Sequence, residues 1–446
     1  MSARSLLTGW GGTAPTAAEV EHPTTLAELA TGAQGAPPRG VLARGLGRSY
    51  GDAAQNAGGR VLATDAVADG PGPIVDGVIG VPASTSIDAL LHVIVPQGYF
   101  VPVTPGTRFV TIGGAIAADI HGKNHHFDGS IASHVRSMRV ALPSGDVVTC
   151  SPTVEADLFW ATAGGMGLTG VVVDAELALA PIASSTLLVD TDRAGDLDAV
   201  MALMDDGDGR YHYSVAWIDL MATGNGLGRS VLTRGDFAPP APGGGDPFAY
   251  DAKVLVQAPP VPVGLVNRAS ITAFNEAWYR KAPKRRRDER QTIPTFFHPL
   301  DLLGRWNRMY GPRGFLQWQP VIPLGSEAAL TTIVEAIASA GLPTFVTVLK
   351  RFGPGNEGPL SFPMAGWTLS LDVPAAASGL GELLDRLDVV VTDCGGRVYL
   401  AKDSRVRADL IPKMYPRLDE WRATRDRFDP DRKMQSDLAR RLDLLG

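Results

Sequence analysis

Three glycine-rich stretches and a scatter of lysine, histidine and glutamine side chains are the parts of this chain able to do chemistry. ARGLGRSYGD at residues 43–52 and PGTRFVTIGGAIAADIHGKNHH at residues 105–126 each follow a short apolar run and read as loops leaving a strand with backbone N–H groups exposed. Glycine reaches φ > 0 and lets the backbone approach a ligand, and consecutive main-chain donors make a concave anion site. A third stretch, ATAGGMGLTGVV, occupies residues 161–172. Any one of these is also what a turn looks like in a chain with 51 glycines, but three in this order suggest a long dinucleotide held from several sides. A Rossmann fingerprint needs G-x-G-x-x-G opening a helix, with an acidic residue about 20 positions on. Here Gly51 falls one position late after Gly45 and Gly47, and DAAQNAGG behind it is turn-rich, so a nicotinamide cofactor is disfavoured.

His121, His125 and His126 have spacings that would suit metal ligands on a helix face. No cysteine or carboxylate cluster accompanies them and Gly122 with Asn124 argues for a loop, so no metal site is expected and His125 and His126 read as surface residues. Lys350 lies inside the apolar run TVLK, where a lysine is less often idle than on a solvated face. Gln317 and Gln319 alternate along FLQWQPVIP, which puts both amides on one strand face and Trp318 on the other. That face suits a polyol, or else faces solvent. Cys150 and Cys394 form neither a disulfide framework nor a zinc pattern.

The elements that must position these groups follow from periodicity. Up to about residue 180, short β-rich runs alternate with helical pieces; SIDALLHVIV sets Ile87, Leu90, Leu91 and Ile94 on one helical face, with Thr85 and Ser86 as caps. SMRVALPSGDVVTC reads as a hairpin turning at residues 143–146. Beyond that, strand, helix and strand recur through FLQWQPVIP, SEAALTTIVEAIASAG and PTFVTVLKRFG, which predicts an antiparallel sheet with helices on one face. Residues 237–291 read as long mobile loops. Their basic end, KAPKRRRDERQ, is either a solvated loop or a segment drawn to anionic lipid headgroups. The fold class is therefore α+β in two domains.

With 446 residues, 45% of them hydrophobic, the chain can bury a large core, and a net charge of −6 argues against nucleic acid as a main partner. No continuous apolar segment reads as a signal peptide or a membrane span.

At its first two loops the chain resembles the vanillyl-alcohol-oxidase-type FAD flavoproteins, which lay an R-G-x-G-x-S loop on the cofactor pyrophosphate. RGLGRSYGDAAQN, IHGKNHH, FHPLD with WNRMYGPRGFLQWQ, LSFPMAGW, and GGRVYLAKDSR with MYPR and DEW are similar, over nearly the whole chain, to the actinobacterial branch acting on polyprenylphosphoryl ribose. The resemblance implies an FAD domain at residues 1–183, a substrate domain at 184–396, and a C-terminal segment, 397–446, returning to the FAD domain. It implies oxidation of the ribose 2′-hydroxyl to a ketone by hydride transfer to FAD, a step in cell-wall arabinan biosynthesis. A separate NAD(P)H-dependent 2′-keto reductase would complete the epimerisation. The branch works at the cell envelope, on the periplasmic membrane surface; without an export signal, the cytoplasm is the alternative.

For residues, the resemblance implies that FAD is held by Ala43, Arg44, Gly45, Leu46, Gly47, Arg48, Ser49, Tyr50, Gly51, Asp52 and Ala53 of the first loop. From the second it implies Gly106, Thr111, Ile112, Gly113, Gly114, His121, Gly122, Lys123, Asn124, His125, His126 and Phe127, and elsewhere Val172 and Tyr399. Arg48 occupies the position of the histidine that bonds FAD covalently in many relatives, which implies non-covalent FAD. Lys402, His121 and Lys350 are the implied catalytic residues: Lys402 stabilises charge beside the flavin, and Lys350 holds sugar hydroxyls or phosphate. Tyr50, Lys123, Trp217, Phe297, Gln317, Gln319, Thr368 and Ser370 line the implied substrate site with Lys350 and Lys402. Three positions depart from the pattern: Phe297 replaces a tyrosine, Thr368 an asparagine, and Ser370 a cysteine. A rival on the same fold oxidises free sugar alcohols or aldonolactones, and a second rival is a non-catalytic lipid-phosphate binder.

Overall fold

The computed structural model describes residues 3–446. Its N-terminal part holds two small sheets. The first is mixed, in the order Ala3–Leu7, Thr16–Glu21, Arg60–Ala63, Val41–Arg44; the second is antiparallel, running Ile74–Val75, Val78–Pro82, Val171–Ala178, Val135–Ala141, Val147–Cys150. Helix Ile87–Ile94 forms where the spacing predicted it. Ser86 accepts from Ala89 N as its cap, and Ile87, Leu90, Leu91 and Ile94 are its buried residues. The predicted hairpin is the pair Val135–Ala141 and Val147–Cys150.

A nine-stranded antiparallel sheet dominates the rest of the chain. Its order is Arg285–Thr292, Thr186–Ala194, Ser230–Phe237, Tyr213–Ile218, Thr347–Phe352, Gly366–Pro374, Pro320–Pro323, Arg397–Val398, with Phe315–Trp318 also paired to Gly366–Pro374. Helices Leu197–Gly207, Glu327–Ala340 and Leu380–Asp393 pack on it. One continuous hydrophobic core runs from Leu42 through Leu349 and Leu371 to Leu444, and a smaller separate cluster of Leu29, Val41, Leu62, Val171, Val173 and Met434 packs the N-terminal sheets.

Two expectations are corrected. The basic run is not a loop: Arg285–Thr292 is a strand along the edge of the large sheet, paired with Thr186–Ala194. Charged side chains suit an edge strand because they discourage further pairing, and Arg287 turns to Asp192 at 2.7 Å. Nor are residues 237–291 wholly loop, since Arg268–Lys281 is a 14-residue helix with a capping box at Asn267 and Ser270. Its apolar face is too sparse for periodicity to reveal, with Ile271 and Asn275 its buried residues.

The last 50 residues fold back over the N-terminal sheets. Val41 N donates to Lys433 O at 2.8 Å and Gln435 N to Val41 O at 3.1 Å, while the indole of Trp421 donates to Ala161 O at 2.9 Å.

Candidate active site

The first glycine loop leaves strand Val41–Arg44. The N–H groups of Leu46, Gly47, Arg48 and Ser49 have no acceptor among the described residues, and Gly47 takes φ +61°, so the stretch presents successive free donors to an anion. A Cβ on Gly45 would lie 2.2 Å from Thr111 Oγ1, and one on Gly51 would lie 2.0 Å from Asp403 O. These positions are glycine because the second loop and the C-terminal segment press against them. Arg44 donates to Ala54 O and Thr8 O, and Arg48 lies over the Trp10 ring at 4.1 Å. The loop carries no histidine or cysteine able to bond a cofactor.

The second loop divides in two, and the N–H groups of Gly122, Lys123, Asn124, His125 and His126 have no acceptor among the described residues. Its amides at Ile112 and Gly113 donate to Thr85 O and Ala83 O, and Gly114 N donates to Thr111 Oγ1, so these donors are used within the protein. Gly106 and Gly114 are the exposed glycines here, and nothing lies within 4 Å of a Cβ on Gly106. The third stretch is a brace: Gly164 N and Met166 N bond Ile116 O and Ala117 O at the end of helix Ile112–Ala117. Val172 sits almost buried in strand Val171–Ala178.

Opposite the loops stands one face of the large sheet. Register places Lys350 against Thr368, Val348 against both Trp217 and Ser370, and Gln317 against Asp372. With the two-residue period of a strand, Gln317 and Gln319, Thr368, Ser370 and Asp372, and Lys350 share that face. Both glutamines are buried, which rules out the solvent-facing alternative. Trp318 points the other way and donates to Asp388 at 2.8 Å.

Hydrogen-bond direction fixes the histidine. Thr368 Oγ1 donates to Pro320 O at 2.9 Å, so it accepts from Gln319 Nε2 at 3.0 Å, and the same nitrogen donates to His121 Nε2 at 2.9 Å. His121 therefore carries its proton on Nδ1, which is buried without a protein partner. Burial, then Lys350, Lys402 and His125, hold its pKa well below the imidazole range, so the ring is a neutral donor. Phe352, Phe362 and Tyr399 surround it at ring distances of 4.8–5.5 Å, and Tyr399 is anchored through its hydroxyl to Ala118 O.

Three lysines converge on this space from three parts of the chain. Each keeps some accessible area, but protein encloses the ammonium ends, and that enclosure decides their chemistry. Burial pulls Lys123 and Lys350 down to about 7, Lys350 being lowered further by Lys402 and Lys123. Lys402 is pulled to about 8 by burial, against the opposing field of Asp372. Asp372 is fully buried and pushed up to about 7 by desolvation, with Gln317 donating to one of its oxygens. Lys402 Nζ donates to Ser370 Oγ at 3.3 Å and lies 5.4 Å from the Tyr50 ring; Lys123 Nζ donates to Phe296 O.

These residues fit FAD. The nest at Leu46–Ser49 suits a diphosphate, open Gly106 permits close approach, and the unpartnered Nδ1–H of His121 with Lys402 suits a ring system that becomes more negative when reduced.

Among the expected residues, Phe127 and His126 stand apart from this space. Phe127 is half exposed and stacked on His212; His126 bonds Tyr211 O. Asn124 knots its loop by donating to Pro102 O. His125 is not a surface residue: it is buried, with its ring 4.5 Å from Phe352, because the short helix His125–Asp128 turns it inward. Phe297 is a core residue among Phe100, Tyr213 and Phe296, with Lys123 5.9 Å from its ring. Asp372 was missed, although Thr368, Ser370 and Asp372 alternate in sequence and the period alone could have shown it. Arg441 was missed too. It grips Asp52 and Asp403 from the C-terminal end, and no local pattern signals a contact across 389 positions.

Comparison with known proteins adds to this geometry. A family model described as an FAD binding domain matches residues 17–151, and one described as D-arabinono-1,4-lactone oxidase matches residues 323–442. The chain is 44% identical to a decaprenylphosphoryl-β-D-ribose oxidase of Mycolicibacterium smegmatis, over 98% of this chain and 97% of that protein. It is 41% identical to an uncharacterised protein of Streptomyces coelicolor, over 80% of this chain and all of that protein. Cytokinin dehydrogenase 4 of rice is 30% identical over 37% of the chain.

Proposed function

Since the chain belongs to the FAD-dependent family of the decaprenylphosphoryl-β-D-ribose oxidase, we propose that it oxidises the ribose 2′-hydroxyl of a polyprenylphosphoryl-β-D-ribose to the 2′-ketone. The observation that carries this reading is one buried sheet face holding two amides beside three lysines, a surface matched to a polyol joined to a phosphate. FAD, held non-covalently, supplies the two-electron acceptor for the hydride leaving C2′.

The chain's own residues do the rest. Gln317 and Gln319 orient the sugar hydroxyls, and Gln319 also holds His121 in the tautomer that donates from Nδ1. Lys350, with Lys123, meets the phosphate. Lys402 places positive charge where negative charge develops, hydrogen-bonded to Ser370. Because serine keeps a polar partner but is not a thiol, thiol-directed reagents have no target at this position.

The 2′-ketone calls for a reductase to deliver hydride to the opposite face, and a separate NAD(P)H-dependent enzyme is the proposed partner on the way to the arabinose donor. Among the described residues no helix is long and apolar enough to cross a membrane. Contact with an anionic membrane surface, at the cell envelope, is proposed from exposed Leu255, Val263, Leu265 and Trp278, near Arg280, Lys281 and Arg285. Co-sedimentation with phosphatidylglycerol vesicles, and not with phosphatidylcholine vesicles, is expected; equal recovery from both overturns the surface reading.

Anaerobic titration of the bound flavin tests the substrate. Polyprenylphosphoryl ribose should bleach the oxidised band in the wild type and much more slowly in Lys402→Ala, with the flavin released on denaturation. Reduction by free sugar alcohols or aldonolactones alone would favour the reading suggested by the match over residues 323–442.

A further inference from the structure

Asp372 is the one fully buried carboxylate on the sheet face that carries Ser370 and Thr368, and the proposed function gives it no role. One of its oxygens accepts from Gln317, whereas Oδ2 is buried with no hydrogen-bond partner. An unpaired buried carboxylate is costly unless a charge lies close by.

The surroundings form a closed ring. Lys402 Nζ donates to Ser370 Oγ at 3.3 Å, and Asp372 is the next residue on that face of strand Gly366–Pro374. Lys402 Nζ also lies 5.4 Å from the Tyr50 ring, whose hydroxyl is beside Gln317, the residue that binds Asp372. From the other elements packed here, Tyr310 faces Asp372, while His121 and Lys350 face Lys402. Lys402 and Asp372 make no direct ion pair; they flank Ser370 on one face, and each is an opposite charge in the other's surroundings.

We propose that Asp372 is the positioning residue for Lys402, its carboxylate on the same sheet face directing the ammonium at Ser370. Asp372 acts through Lys402 and touches no reacting atom. The idea extends the proposed function by naming what controls its cation, and its test needs no turnover, so failure of the substrate reading would leave it standing.

Lys350 is held at about 7 by burial and by Lys402 and Lys123, whereas Lys402 is held at about 8 by burial against the field of Asp372. In the holoenzyme, amidination by methyl acetimidate over a pH series, read peptide by peptide by mass spectrometry, reports the neutral fraction of each lysine. Lys402 should titrate above Lys350 in the wild type. In Asp372→Asn its profile should move down by about one unit, about fivefold more neutral amine at neutral pH, with Lys350 far less affected and Asp372→Glu restoring the wild-type profile. An unshifted Lys402 profile in folded Asp372→Asn overturns the proposal. If that variant does not fold, the wild type still decides: Lys402 titrating with or below Lys350 refutes it.

Discussion

Arg441→Met tests how the C-terminal segment holds the first glycine loop against Lys402. Arg441 donates from Nε and one terminal nitrogen to the two oxygens of Asp52 at 2.8 and 2.7 Å, and the same terminal nitrogen reaches Asp403 at 2.9 Å. Asp52 closes the first loop and Asp403 follows Lys402 directly, so one guanidinium ties the cofactor side to the catalytic side. Removing one partner of a fully buried pair costs about 3–5 kcal/mol, because the other charge is left stranded. Asp403 is 2% exposed but Arg441 is 26% exposed, so water can partly replace the lost bonds and about 2–3 kcal/mol is expected. Urea unfolding of the FAD-loaded protein measures that loss, and fluorescence of freed flavin after dilution measures retention. Methionine keeps the packing of the stem, which isolates the charge. A loss below about 0.5 kcal/mol with unchanged retention would show that the loop and Lys402 are held by backbone contacts instead.

Gly51→Ala brings a Cβ to 2.0 Å from Asp403 O, where ordinary contact begins at 3.4 Å, so the loop must separate from the segment carrying Lys402. A loss of about 1–3 kcal/mol in urea titration, together with weaker FAD binding, is expected. His212 is raised above the imidazole value of 6.5 by its hydrogen bond to Asp128; burial pushes Asp128 up, but His212, Asn124 and His134 together outweigh it and lower the carboxylate. The histidine's contribution is full below 6.5 and lost as pH rises through its raised value; the aspartate's is present above 3.8 and lost as pH falls through its lowered value. The stability gap between wild type and His212→Phe should therefore narrow on going from mildly acidic to alkaline pH, and a pH-independent gap would contradict the pairing. Burial pushes the Cys150 thiol up to about 12 and raises Cys394 less, so a thiol-specific chromogenic reagent should label Cys394 first, and Cys150 only on unfolding.

What the sequence made legible follows the range of the forces involved. Helix Ile87–Ile94, the hairpin, and the strands carrying Gln317 and Lys350 were readable because periodicity and capping act over a few residues. The edge strand Arg285–Thr292 was not, because its pairing with Thr186–Ala194 overrides a composition that looks solvated. The glycines were seen correctly as sites of close approach but not always to a ligand: Gly113 and Gly164 accommodate Ala83 and Ser361, while runs of free donors remain at Leu46–Ser49 in the first loop and at residues 122–126 in the second. Asp372 was within reach of period-two reasoning. Arg441 was not, since its partners lie up to 389 positions away.

The lysines argue for the kind of ligand. Lys123 comes from the second loop, Lys350 from the sheet and Lys402 from the returning C-terminal segment, so only the assembled fold brings their charges together. Enclosing an ammonium costs several kcal/mol even after relaxation, which is why Lys123 and Lys350 fall to about 7, Lys350 with like charges adding to the cost. Asp372 compensates Lys402 alone. A neutral polyol could bond Gln317 and Gln319 but would leave Lys123 and Lys350 as they are, whereas a phosphorylated sugar raises both, takes up protons and stabilises the fold by linkage. Because a site for free sugar alcohols gains nothing from two half-titrated lysines, their presence favours an anionic, phosphate-bearing substrate.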